Sequence, residues 1–130
     1  VNKRKGLNHP PIQIKRDVIH RDGGICIYRL PGCTGTAETT DHRAGRGAGG
    51  SRVLNHPANL AGICIICNGK KEDATGDTKE RLIRDGLLVL QASTNDATLR
   101  RARETPVRYP DGLWYELIDA TTREQVPAPH

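Results

Sequence analysis

A chain of 130 residues suits one domain, and its core must be thin: there is no Phe, no Met, one Trp and three Tyr. The hydrophobic fraction of 35% lies below the ~45–50% of soluble domains, a benchmark that also counts Gly, so a staple such as a metal site is expected to support the fold. The net charge of +5 is uneven: residues 1–72 carry twelve Lys and Arg against five Asp and Glu, a net of +7, while residues 73–130 carry eight against ten, a net of −2. A basic first part points to a polyanion such as DNA as partner.

No apolar stretch approaches the ~20 residues of a membrane helix, so no membrane association is expected. The opening VNKRKGLNHPP has no apolar core of a secretion signal, and the expectation is a soluble cytoplasmic protein. In that reducing setting paired cysteines favour metal over disulfides.

Residues 1–11 read as a basic arm. Pro10 and Pro11 can open a helix through IQIKRDVIHRDGG, which Gly23-Gly24 ends. A knuckle, CIYRLPGC, follows, and then AETTDHR as a strand. AGRGAGGSR, with four glycines in nine residues, reads as a loop or hairpin tip. The run ANLAGICIICNGKKED is ambiguous by periodicity; residues 60–65 are read as a short turn and a helix is placed from Asn68 onward.

DTKERLIRDG predicts a further helix, with Asp77 and Glu80 at capping-box spacing and Gly86 as the stop. LLVLQ is a strand candidate. VRYPDGLWYELI predicts a hairpin, because Pro-Asp-Gly separates two apolar runs. The order is α+β: a helix, a small metal-like centre and a helix within residues 12–90, then a β extension of the same domain over 91–130.

The cysteines fall at Cys26, Cys33, Cys64 and Cys67, a C-x6-C pair and a C-x2-C pair thirty residues apart. Two ligand pairs on two knuckles are how a structural zinc staples a small fold, and four thiolates leave no open position for chemistry. Two disulfides, or four buried thiols, are the competing readings. A redox C-x-x-C lacks a surrounding βαβ pattern.

Between the knuckles lie Asp41, His42 and Asn59, with Asn68 just after. Asp and Asn offer hard oxygen ligands that suit Mg²⁺ or Mn²⁺. A neutral histidine can take a proton from water. Strand alternation points Asp41 and His42 to opposite sides, so one can face an ion and the other something else. A hard cation beside a base is equipment for phosphodiester hydrolysis.

The stretches RDGGIC, TTDHRAGRGAGG and NLAGICIICNGKKE together resemble the HNH endonucleases, the ββα-metal nucleases, in their zinc-stapled phage and bacterial form. The resemblance covers about residues 16–73, and the tail PVRYPDGLWYELID is similar to that of small HNH proteins of actinobacterial phages. It implies a ββα-metal core flanked by helices, with His42 as general base and Asp41 as carboxylate metal ligand. Asn59 would brace the loop and orient the base. Asn68 stands where the family has its last His, giving an H-N-N motif. An amide oxygen there favours Mg²⁺ or Mn²⁺ over Zn²⁺ or Ni²⁺ as the catalytic ion.

The resemblance also makes Lys71 the family lysine. Arg43, Arg46, Arg52, Lys70 and Lys71 are candidates to hold the DNA backbone, and His56 reads as a surface histidine. The implied activity is metal-dependent DNA cleavage, by nicking or double-strand cutting. A phage setting would link it to genome packaging beside a terminase. A junction-resolving nuclease of the endonuclease VII type and a non-catalytic zinc-stapled DNA-binding module are the alternatives, with a structural or packaging protein behind them.

Overall fold

The computed structural model describes residues 9–46 and 52–129. Most of the expected basic arm, and the tip of the glycine-rich loop at 47–51, lie outside the described residues. Helix α1, Ile12–Arg21, opens directly after Pro11, whose extended backbone and missing N–H suit that boundary.

Strand β1, Thr39–His42, pairs antiparallel with β2, Leu60–Ile63, in the register Asp41 opposite Ala61 and His42 opposite Leu60. Between them run two 3-10 turns, Val53–Asn55 and Pro57–Asn59. The expected turn at 60–65 is thus corrected to a strand, and all four of its residues are buried. A continuous apolar run reads equally as turn, buried strand or helix until its partner is known. Gly62 matters there: a Cβ would lie 3.1 Å from Ala37 Cβ and 3.3 Å from the Ile25 carbonyl oxygen, so a side chain would push back the segments that flank the first cysteine knuckle.

Helix α2, Ile65–Glu72, follows β2 at once and begins three residues before the expected Asn68. Its N-cap is Cys64, whose sulfur accepts from the Cys67 N–H at 3.4 Å. Helix α3, Gly76–Arg84, starts after Thr75, so the expected Asp77–Glu80 capping box does not form; Asp77 sits instead in the first turn, where its charge favours the helix dipole. Gly86 ends this region at φ +76°, and a Cβ there would meet the Pro106 carbonyl oxygen at 2.0 Å.

Two further corrections concern the second half. Residues 87–91 form no strand: Leu87 and Val89 are buried, but in place of a ladder the Leu87 and Leu88 N–H groups donate back to the Leu82 carbonyl and the Val89 N–H donates to the Arg43 carbonyl at 2.9 Å. The expected β extension contains a helix, α4, Asn95–Glu104, capped by Thr94 accepting from the Ala97 N–H at 3.1 Å. The hairpin around Pro110-Asp111-Gly112 is present as β3, Val107–Arg108, and β4, Trp114–Leu117. A third strand, β5, Arg123–Val126, completes that antiparallel sheet. The architecture is α+β, with four α-helices and two small antiparallel sheets among the described residues.

The main core forms around the cysteines, where Ile27, Tyr28, Ile63, Leu82, Leu87 and Leu117 pack against Cys26, Cys64 and Cys67. Buried charge joins the parts. Arg21 donates to the carbonyls of Pro57, Leu60 and Asp119 while pairing with Asp22, which accepts from the Gly62 N–H.

Arg43 is 1% exposed and donates to the carbonyls of Gly86, Ala58, Ala102 and Thr105 at 2.6–2.9 Å. Burial pulls its pKa down to about 10, which leaves it charged at neutral pH. Arg43 is therefore corrected from a DNA contact to an internal tie. Arg43→Ala is expected to lose more than about 3 kcal/mol of stability in urea unfolding, because four buried carbonyls lose a partner at about 1–3 kcal/mol each. No described helix is long and apolar enough to cross a membrane.

Candidate active site and metal centre

The four cysteine sulfurs lie within 4.8 Å of one another, and all four are free thiols. Tetrahedral Zn–S bonds of ~2.3 Å place sulfurs ~3.8 Å apart, and Cys64 and Cys33 are 3.9 Å apart. That distance is far from the ~2.05 Å of a disulfide. Backbone N–H groups of Gly35 and Cys67 point at the Cys33 and Cys64 sulfurs, as suits thiolates. Burial raises Cys26 and Cys67. Burial opposes ionisation at Cys64 too, but hydrogen bonds from Cys67 and Thr34 bring it down to about 6. The hydrogen bonds at Cys64 thus favour the thiolate form, in which a cysteine binds a metal such as zinc.

This cluster sits where β2 passes into α2, so it fixes the helix against the strand pair. Across that junction opens a cleft of about 430 Å³ lined by Asp41, His42, Arg46, Lys71, Lys79 and the 88–91 segment. Asp41 Oδ2 accepts from the Tyr28 hydroxyl at 2.6 Å and from the Lys71 ammonium. The same ammonium donates to the His42 carbonyl at 2.8 Å. Burial, and then the Asp41 charge, push the Tyr28 phenol up, so it stays protonated and donates.

His42 turns the other way. Its Nε2 lies 2.7 Å from Asn55 Oδ1. An amide oxygen only accepts, so Nε2 carries the hydrogen and Nδ1 keeps its lone pair. Burial lowers the His42 pKa below the usual 6.5; the Asn55 bond opposes this and the Arg46 charge adds to it. The imidazole is therefore neutral at pH 7, as a base must be.

Asn59 is fully buried. It accepts from the Ala44 N–H at 2.8 Å and donates to the carbonyls of Ala44 at 3.1 Å and Leu54 at 2.9 Å. It thereby ties both ends of the loop between β1 and β2, and the tie at Leu54 sets the neighbouring Asn55 against His42.

Of the basic candidates, Arg46 and Lys71 line the cleft, as does Arg43, whose guanidinium is tied to buried carbonyls. Lys71 is largely buried and bound to Asp41, so it does not stand free for phosphate as expected. Lys70 is turned to the Pro31 carbonyl, beside a different recess lined by Leu30, Asp73 and Thr78. Arg52 is exposed and outside the cleft lining. Asn68 is half-buried and also outside that lining; it lies on α2 three residues before Lys71, hence on the same helix face. His56 caps the second 3-10 turn through Nδ1 and meets Arg103 through Nε2, a structural role.

Tyr28, Asn55 and Lys79 were not singled out from the sequence. Tyr28 and Asn55 reach the site across 13 residues each and stand at no motif spacing. Lys79 carried a signal, a second basic position one helix beyond Lys71.

Comparison with known proteins gives no match to a family model, a curated protein or a solved structure.

Proposed function

We propose that the protein is a metal-dependent endonuclease of the HNH type that hydrolyses DNA phosphodiester bonds. The observation that carries this reading is the antiparallel pair β1–β2 running directly into α2, pinned by the four-cysteine cluster, with Asp41 and His42 in one cleft. On this reading a structural Zn²⁺ occupies the cysteine cluster.

Asp41 and Asn68 would hold one Mg²⁺ or Mn²⁺. Asp41 supports this with a hard carboxylate whose Oδ1 has no hydrogen bond among the described residues, and Asn68 with its place one helical turn from the group that now neutralises Asp41. The bound ion would supply charge neutralisation at the phosphate and at the leaving oxygen. His42 Nδ1 takes the proton from the attacking water, while Nε2 holds Asn55. The imidazole thus accepts in a fixed tautomer and direction. Arg46 and Lys79 face the cleft as contacts for the DNA backbone; such contacts bind without reading sequence. The cut would leave a 5′ phosphate.

Supercoiled plasmid incubated with the zinc-loaded protein tests the reading: open circles should appear with Mg²⁺ or Mn²⁺ and not with EDTA. Because burial lowers His42, the base form persists to lower pH than in a free histidine. The acid limb of the rate is expected below pH 6.5, and a divalent ion nearby would move it further down; a limb above 6.5 contradicts His42 as the base. Asn68→His is expected to stay active and to shift metal preference toward Ni²⁺ or Zn²⁺; unchanged preference means that Asn68 does not touch the ion.

The ion pair that now holds Asp41 favours a second reading, a zinc-stapled DNA-binding module without catalysis. DNA binding without any divalent-dependent cleavage would select it.

A further inference from the structure

Lys71 joins two requirements that compete. Its ammonium rests on Asp41 Oδ2, donates to the His42 carbonyl at 2.8 Å, and lies 5.4 Å from the centre of the Tyr28 ring. Lys71 and Asp41 side chains are only 10% and 15% exposed. The ammonium is therefore the counter-charge of a largely buried carboxylate.

A hard divalent ion on Asp41 would sit ~2.0–2.1 Å from a carboxylate oxygen. That distance brings it within a few ångströms of Nζ, where a +2 and a +1 charge repel strongly in a partly dry site. An ion on the open Oδ1 and the ammonium on Oδ2 therefore compete for one carboxylate charge. Lys71 can leave: it stands near the end of α2, on a flexible four-carbon stem, at the wall of an open cleft. Tyr28, fixed in the core, stays on Asp41 and keeps the carboxylate aimed.

We propose that Lys71 is an exchangeable counter-cation: it holds Asp41 in the metal-free protein, swings into the cleft when a divalent ion binds, and there takes a phosphate oxygen of the DNA backbone. This rests on the nuclease reading and deepens it. The consequence is positive coupling. Metal binding frees an ammonium for DNA, and DNA holds the ammonium away from Asp41. By linkage each ligand must strengthen the other by the same factor.

The test uses zinc-loaded protein. Calorimetry with Mn²⁺ should show Lys71→Met binding the ion about five- to tenfold more tightly than wild type. Lys71→Gln, which keeps a donor for the His42 carbonyl without the charge, should do the same. In a His42→Ala background, which stops cleavage, Mn²⁺ should tighten binding of a short DNA duplex, and Lys71→Met should reduce that tightening to the part the ion makes with the phosphate itself. In unsubstituted protein, amine-directed methylation read by mass spectrometry should label Lys71 slowly in EDTA and faster with Mn²⁺.

Equal or weaker Mn²⁺ binding in both variants, with binding still lost in Asp41→Asn, overturns the exchange and leaves the metal site standing. No Mn²⁺ binding in any of these proteins overturns the exchange and the nuclease reading together.

Discussion

Cys64→Ser is expected to lose zinc and most of the folded structure in one step. Serine is a good helix N-cap, so the α2 start is not what the substitution removes. It removes one of four thiolates from a site whose sulfurs lie within 4.8 Å and whose neighbours form the main core. A structural zinc contributes about 10–16 kcal/mol to such a fold. That matches or exceeds the about 5–15 kcal/mol by which small domains are stable at all. The core here has no Phe and no Met to make up the difference. Zinc content and circular dichroism, read on the same sample, check this. Wild type stripped by a chelator should unfold likewise and recover with zinc. A Cys64→Ser protein that keeps both its melting temperature and its metal would remove the staple from the account.

The second large effect separates base from ligand. His42→Ala is expected to slow DNA cleavage by at least about 10²–10⁴-fold, the usual contribution of a positioned base, while divalent-ion and DNA affinities stay within about twofold. Asp41→Asn should lose ion binding and cleavage together, because it removes the one charged ligand. The amide still accepts the Tyr28 hydroxyl, so the packing around it survives. Calorimetric titration and single-turnover cleavage on the two variants give opposite patterns if the roles are right. Full activity in His42→Ala would reassign the base.

The parts of this molecule that were legible are those whose chemistry is local. Four cysteines in two pairs on two knuckles suggest a shared metal from their spacing alone, and the structure brings their sulfurs within 4.8 Å of one another. Pro110-Asp111-Gly112 specifies its turn through its own backbone preferences, and the structure shows Asp111 accepting from the Leu113 N–H at 2.9 Å.

Illegible parts depend on distant partners. The apolar run from Leu60 is a strand only because Thr39–His42 lies beside it. Helix α4 has a polar sequence, NDATLRRARE, and its buried face rests on Thr98 and Ala102, which give almost no hydrophobic period. Arg43 follows Asp41-His42 in a basic stretch and reads as a phosphate contact. Its carbonyl partners at 58, 86, 102 and 105 come from other segments and turn it inward. Asn55 meets His42 only because buried Asn59 closes the intervening loop.

Plasmid nicking by the zinc-loaded wild-type protein tests the central claim most directly. Supercoiled DNA is incubated with Mg²⁺, with Mn²⁺ and with EDTA, beside His42→Ala shown to be folded and zinc-bound. The account predicts open circles carrying 5′ phosphates in the first two wild-type lanes, intact plasmid with EDTA, and intact plasmid with His42→Ala throughout. Intact plasmid in every wild-type lane, or equal nicking by His42→Ala, would contradict it.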